Sequence, residues 1–272
     1  MADGGIALAL GGGAALGWAH IGFLRLLEEE RVPIGAVAGT SIGALVALSF
    51  AAGKLDVLEE IARTATRGRV LSYLDPWFGR GALLGGRRLA RELDRHFGGI
   101  MLEALPLAIS LVAADLARAE EVRLTAGPAI PAVRASIAIP GVFRPVAIGA
   151  RMLIDGGMLA NVPIGAVRQL APSLPVVGVD LLGDYAGHAR KMGAFPSALD
   201  VAGAGVLMLM VQQGRQDVAV HRPAVMVRMP VGHLGLGAFT RAEELFAIGR
   251  AEAVAALPAI RAALTDSADQ RA

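Results

Sequence analysis

Apolar residues in this chain fall into short continuous runs separated by glycine-rich turns and amphipathic stretches. Ile6 to Leu10 is the first run, the length of a buried strand, and it ends in Gly11-Gly12-Gly13-Ala14-Ala15-Leu16-Gly17. Trp18 to Glu29 then places Ile21, Leu24 and Leu27 on one helical face. Ala36-Val37-Ala38 predicts a second strand and Ala44 to Leu48 the body of a second helix, with Gly39-Thr40-Ser41-Ile42-Gly43 between them. Helices are predicted over Leu55 to Ala65 and Arg87 to Phe97, with an irregular stretch from Thr66 to Gly86.

Leu107 to Ala114 reads as a strand, and Glu121 to Thr125 as its hairpin partner. Pro128 to Ile139 reads as a helix and Pro140 to Pro145 as an irregular connection. Val146 to Ile148 and Met152 to Ile154 form a hairpin around Gly149-Ala150, and the second strand runs into Asp155-Gly156-Gly157. A helix over Val162 to Leu170, a strand over Val176 to Leu181 and a loop over Gly183 to Pro196, a candidate lid, come next. The chain closes with a helix over Ala198 to Val220, a strand over Ala224 to Met229 and an amphipathic helix over Thr240 to Leu264. Thr240 and Glu243 have the spacing of a capping box. Strands alternating with helices predict one three-layer α/β domain over residues 1–264, with a mostly parallel central sheet and helices on both faces. A polar tail, 265–272, follows.

Composition sharpens this picture. Apolar residues make up 54% of the 272 positions and aromatics only 4%, so Ala, Val, Leu and Gly must build the core, which suits buried parallel strands. There are no cysteines, which excludes disulfides and thiolate metal sites. A net charge of +2 gives no reason to expect nucleic acid. Two charge-free windows, from Gly5 to Leu24 and from Gly35 to Gly53, are long enough to span a bilayer, but glycines and turn residues split each into a strand plus a helix. The first residues lack a basic leader segment, so the expected location is the cytoplasm or a membrane surface. Eight arginines between Arg63 and Arg95, interleaved with Tyr73, Trp77 and Phe78, admit contact with an anionic membrane, although a solvated helix face is the simpler reading.

The candidate chemistry lies in the turns. Gly-x-Ser-x-Gly between strand and helix holds a serine hydroxyl at a helix N-terminus, where the dipole favours developing negative charge. By itself the pentapeptide leaves a nucleophile and a plain small-residue turn equally open. The loop from Gly11 to Gly17 exposes backbone N–H groups beside a helix start, an arrangement that binds anions. It is not a dinucleotide fingerprint, because Ala14 occupies a glycine position and the next strand ends without an acid, and it lacks the Gly-Lys-Ser/Thr of a Walker loop. An oxyanion hole for the serine is the remaining functional reading. For the proton acceptor there are two candidates. A late histidine (His188, His221 or His233) with Asp155 would make a triad; Asp155 alone, partly desolvated, would make a dyad. By pattern alone, a simple Asp-Gly turn is the stronger reading of Asp155-Gly156.

Taken together, these motifs resemble the patatin-like phospholipase family, in particular its small bacterial members, from Ile6 to about Leu264. The resemblance rests on the glycine loop leading into Trp18-Ala19-His20-Ile21-Gly22, the elbow around Ser41, and Asp155-Gly156-Gly157 with Asn161-Val162-Pro163 behind it. The segment Ala135-Ser136-Ile137-Ala138-Ile139-Pro140, with Phe143 and Pro145, adds to it. The resemblance implies a Ser41–Asp155 dyad that hydrolyses lipid acyl esters, with no metal or cofactor. It implies an oxyanion hole from the N–H groups of Gly12, Gly13 and Ala14, and Gly39, Gly43, Gly156 and Gly157 as supports. The partner it implies is a lipid ester substrate. The alternatives are a non-catalytic lipid-binding protein of the same fold and the triad esterase. The family usually carries Arg or Lys where this chain has Leu16, and on the non-catalytic reading restoring the cation, Leu16→Arg, is expected to raise any residual activity.

Overall fold

The computed structural model describes residues 4–73, 75, 82–184 and 197–269. In chain order, its first elements are β1 (Ile6–Leu10), α1 (Trp18–Glu29), β2 (Ile34–Thr40), α2 (Ile42–Ala51), α3 (Leu55–Arg63), α4 (Arg67–Tyr73), β3 (Ala82–Leu84) and α5 (Arg87–Phe97). Then come β4 (Ala108–Asp115), β5 (Glu120–Leu124), α6 (Ala129–Ser136), β6 (Gly141–Phe143), β7 (Val146–Ile148) and β8 (Arg151–Asp155). The last are α7 (Ile164–Leu170), β9 (Val176–Asp180), α8 (Ala198–His221), β10 (Val225–Arg228) and α9 (Ala242–Asp269).

Alternation along β1 builds the two faces of the sheet. Ile6, Leu8 and Leu10 point to one side with Val37, Leu111 and Val179, where α1, α2 and α9 cover them. Ala7 and Ala9 point to the other with Ala36 and Ala38, where Ile164 and Val167 of α7 pack closely on the small residues. The result is a single α/β domain of three layers, with helices on both faces of the sheet. Strand order is β10-β9-β1-β2-β4-β8-β7, and β5 lies on the other edge of β4. The strands from β10 to β4 are parallel, whereas β5, β8 and β7 pair antiparallel. Right-handed helical crossovers are the ordinary way to join such parallel strands.

The two charge-free windows are strand plus helix, and among the described residues no helix is long and apolar enough to cross a membrane.

Several boundaries differ from those expected. The stretch 66–86 holds α4 and β3, and β3 pairs in parallel with β6, inside the connection expected to be irregular. Each is a three-residue strand whose partner is distant in sequence, so neither carries a local signal. Helix α6 stops at Ser136 because Ile139 precedes Pro140, whose ring disfavours helical geometry just before it. Helix α9 begins at Ala242 rather than Thr240, and Glu243 pairs with Arg63 instead of closing a capping box. It runs on to Asp269, through most of the expected tail. Within the arginine-rich stretch Arg69 pairs with Glu92 at 3.2 Å and Arg63 with Glu59 at 2.7 Å. Trp77 and Phe78 lie outside the described residues, as does most of the candidate lid (185–196).

Candidate active site

Strand β2 ends at Thr40 and helix α2 begins at Ile42, so Ser41 alone turns the chain. Its backbone has φ 57° and ψ −125°, a conformation that L-residues rarely adopt and that costs about 1–3 kcal/mol. Close backbone packing holds it there. A Cβ on Gly39 would lie 2.2 Å from the Gly43 carbonyl oxygen, and one on Gly43 would lie 2.2 Å from that of Leu10. Only glycine permits both approaches. The Ser41 N–H donates to Ser136 Oγ at 2.9 Å, and that hydroxyl donates in turn to the Val112 carbonyl at 2.6 Å. The last residue of α6 thus anchors the turn, a role that no local sequence signal reveals.

The carboxylate arrives along β4. On one edge of β4, Val112 faces Thr40 of β2 and the next residue, Ala113, faces Asp155 of β8. The two strands run toward each other along that edge, and their tips meet. Ser41 Oγ donates to Asp155 Oδ2 at 2.6 Å. The other carboxylate oxygen accepts from the Gly157 N–H at 2.8 Å. Asp155 is only 4% exposed. Burial pushes its carboxyl up to about 6, against the opposing pull of the Ser41 and Gly157 hydrogen bonds. Near neutral pH it is therefore ionised, yet far more basic than an ordinary aspartate, which suits a general base.

The glycine loop follows β1 on the opposite side of Ser41. One of its three expected donors is unavailable: the Gly12 N–H donates to the Asn161 main-chain oxygen at 3.0 Å, because the chain after Asp155 runs back against the loop. The N–H groups of Gly13 and Ala14 have no acceptor among the described residues. Ala14 adopts φ 50°, the left-handed conformation in which glycine is cheaper. Leu16 is fully buried in the main core, so a cation there would face hydrocarbon rather than the anionic site. His20 is also fully buried and donates from Nε2 to the Gly11 carbonyl at 2.9 Å, tying α1 to the root of the loop. Burial lowers its pKa to about 4, so the ring stays neutral.

The late histidines are elsewhere. His233 pairs with Glu244 at 3.1 Å, and the His221 carbonyl accepts from Arg168 at 2.8 Å. Neither hydrogen-bonds Ser41 or Asp155, whose two oxygens are already engaged, so the triad expectation fails for both. His188 lies outside the described residues. Among the described residues no group of three or more His, Asp or Glu side chains is arranged to hold a metal ion.

The family model for patatin-like phospholipases matches residues 8–168, which include both Ser41 and Asp155. The chain belongs to the patatin-like phospholipase family. An uncharacterized NTE family protein of Mycobacterium tuberculosis is 38% identical over 185 residues, 68% of this chain and 51% of that protein. The chain thus spans about half the length of this curated relative. The lysophospholipase NTE1 of Pyricularia oryzae is 31% identical over 182 residues, covering 65% of this chain and 12% of that protein. Among solved structures, VipD from Legionella pneumophila aligns with a TM-score of 0.54 at 14% identity. It covers 95% of this chain and 67% of that chain, a likeness of fold alone. Membership of the patatin-like family supports lipid hydrolysis as the general class of chemistry.

Proposed function

We propose that this patatin-like chain is a serine acyl hydrolase that cleaves fatty-acyl esters of phospholipids, lysophospholipids or related lipids through a Ser41–Asp155 dyad. The observation that carries the reading is the 2.6 Å hydrogen bond from a strained serine at the start of α2 to a buried carboxylate held at about 6. Ser41 Oγ attacks the ester carbonyl while its proton passes to Asp155. The carbonyl oxygen becomes an oxyanion, which the Gly13 and Ala14 N–H groups and the positive end of α2 stabilise. Collapse breaks the carbon–oxygen bond, and the leaving alcohol takes the proton from Asp155. Water, deprotonated by Asp155, then hydrolyses the acyl-enzyme to fatty acid and free Ser41.

Helix α8 supports a lipid as the substrate. It brings Met210 against the site, its Cε 2.5 Å from where a Gly157 Cβ would be. It also leaves Met208 and Leu209 47% and 58% exposed, apolar area of the kind that a membrane surface covers. The test is fluorophosphonate labelling together with turnover of short-chain and lysophospholipid esters. Ser41→Ala and Asp155→Asn each abolish turnover, and Ser41→Ala abolishes labelling. Undiminished turnover in either variant refutes the dyad.

A further inference from the structure

The side chain of Asn161 is a buried amide beside the dyad with no hydrogen bond among the described residues. It is 1% exposed, and its Oδ1 is buried without a hydrogen-bond partner among the described residues. Nor does the other end of its amide make a hydrogen bond to any of them. A buried amide without a partner is destabilising, and a side chain of the same shape without the polar atoms would be accommodated better. Its position gives the reason for keeping it. The point where a Gly12 Cβ would sit is 2.9 Å from Asn161 Oδ1 and 3.2 Å from Ser41 Cβ. The point where a Gly157 Cβ would sit is 3.1 Å from Asp155 Oδ1 and 3.3 Å from Asn161 Oδ1. The carboxamide therefore stands between the glycine loop and the dyad, facing both.

We propose that the Asn161 carboxamide is a third catalytic residue, hydrogen-bonding the oxyanion of the reacting ester in place of the Gly12 N–H. This deepens the hydrolase reading above and rests on it. The main-chain oxygen of Asn161 takes the Gly12 N–H out of the loop's donor set, and the carboxamide of the same residue stands close enough to replace it. With neither end of the amide engaged, a half-turn exchanges oxygen for NH2 at no loss of hydrogen bonds, and a developing negative charge selects the NH2. The amide is idle with the site empty and engaged in the transition state, which is the condition for raising kcat rather than lowering KM.

The experiment compares wild type, Asn161→Leu, Asn161→Ala and Asn161→Asp in thermal stability, ester kinetics and the rate of fluorophosphonate labelling of Ser41. The phosphonyl oxygen of the adduct occupies the oxyanion position. Expected for Asn161→Leu is a Tm at or above that of wild type, with kcat and the labelling rate down about 30- to 1,000-fold and KM within about threefold. Asn161→Ala gives the same kinetic split should the leucine prove too bulky to fold. Asn161→Asp, which offers only acceptors, is at least as impaired. Labelling and kcat within about twofold of wild type in Asn161→Leu or Asn161→Ala overturn the proposal while leaving the dyad intact. Wild-type activity in Asn161→Asp overturns the donor assignment. A wild-type protein that fluorophosphonate does not label at Ser41 sinks the hydrolase reading and this proposal with it.

Discussion

Replacing Asp155 with asparagine should inactivate the protein and stabilise it, but only above a defined pH. In the folded protein, burial holds the carboxyl at about 6 instead of its ordinary 3.8. Between those values the native state binds more protons than the unfolded chain, so stability falls as pH rises through the window and stays lower above it. The ionised carboxylate then costs the folded protein about 3 kcal/mol. Asparagine carries no charge and escapes that cost, but it cannot accept from both Ser41 and Gly157 through one oxygen. The lost hydrogen bond returns about 1 kcal/mol. The net gain at pH 8 is about 2 kcal/mol, or a Tm increase of about 4–8 °C for a domain near this size. At pH 4 the wild-type carboxyl is already protonated when folded, and the advantage disappears. Thermal melts of both proteins at pH 4, 6 and 8 measure this directly. In parallel, wild-type kcat/KM should climb with pH through an apparent pKa of about 6. An Asp155→Asn protein that is no more stable than wild type at pH 8, or one whose advantage persists unchanged at pH 4, would refute the claim that a costly buried charge is what makes the base.

Two further outcomes follow from the glycine loop. Leu16→Arg should destabilise by about 3 kcal/mol or more, because it buries an unpaired charge in the main core. It should lower activity along with the yield of folded protein, and a rise in specific activity would contradict the burial. Ala14→Gly relieves a left-handed alanine and should raise Tm by about 2–4 °C, equivalent to about 1 kcal/mol, with turnover unchanged since the N–H stays; an unaltered or lowered Tm counts against the strain.

Much of this architecture is legible before any coordinates. The run Ile6 to Leu10, the helix Trp18 to Glu29 and the elbow around Ser41 announce themselves because hydrophobic period and turn chemistry are local properties. Helix α5 occupies the expected span, Arg87–Phe97, for the same reason. What escaped was long-range. Strands β3 and β6 are invisible alone because each exists only through the other. Ser136 looks like any helix residue until its hydroxyl is seen holding the Ser41 N–H. The Gly12 hydrogen bond and the burial of Leu16 escape for a related cause: a motif shows which N–H groups and side chains are present, not which neighbours have already claimed them.

By itself, then, the amino-acid order determines the alternation of strand and helix, the strained serine turn and the glycine loop, since each is encoded within a few consecutive residues. Only the tertiary structure decides that β8 meets β2 tip to tip on one edge of β4, bringing Asp155 against Ser41. Only the tertiary structure removes water from that carboxylate and makes it basic. The reason is physical: basicity here comes from desolvation, and desolvation is a property of everything packed around a residue rather than of the residue.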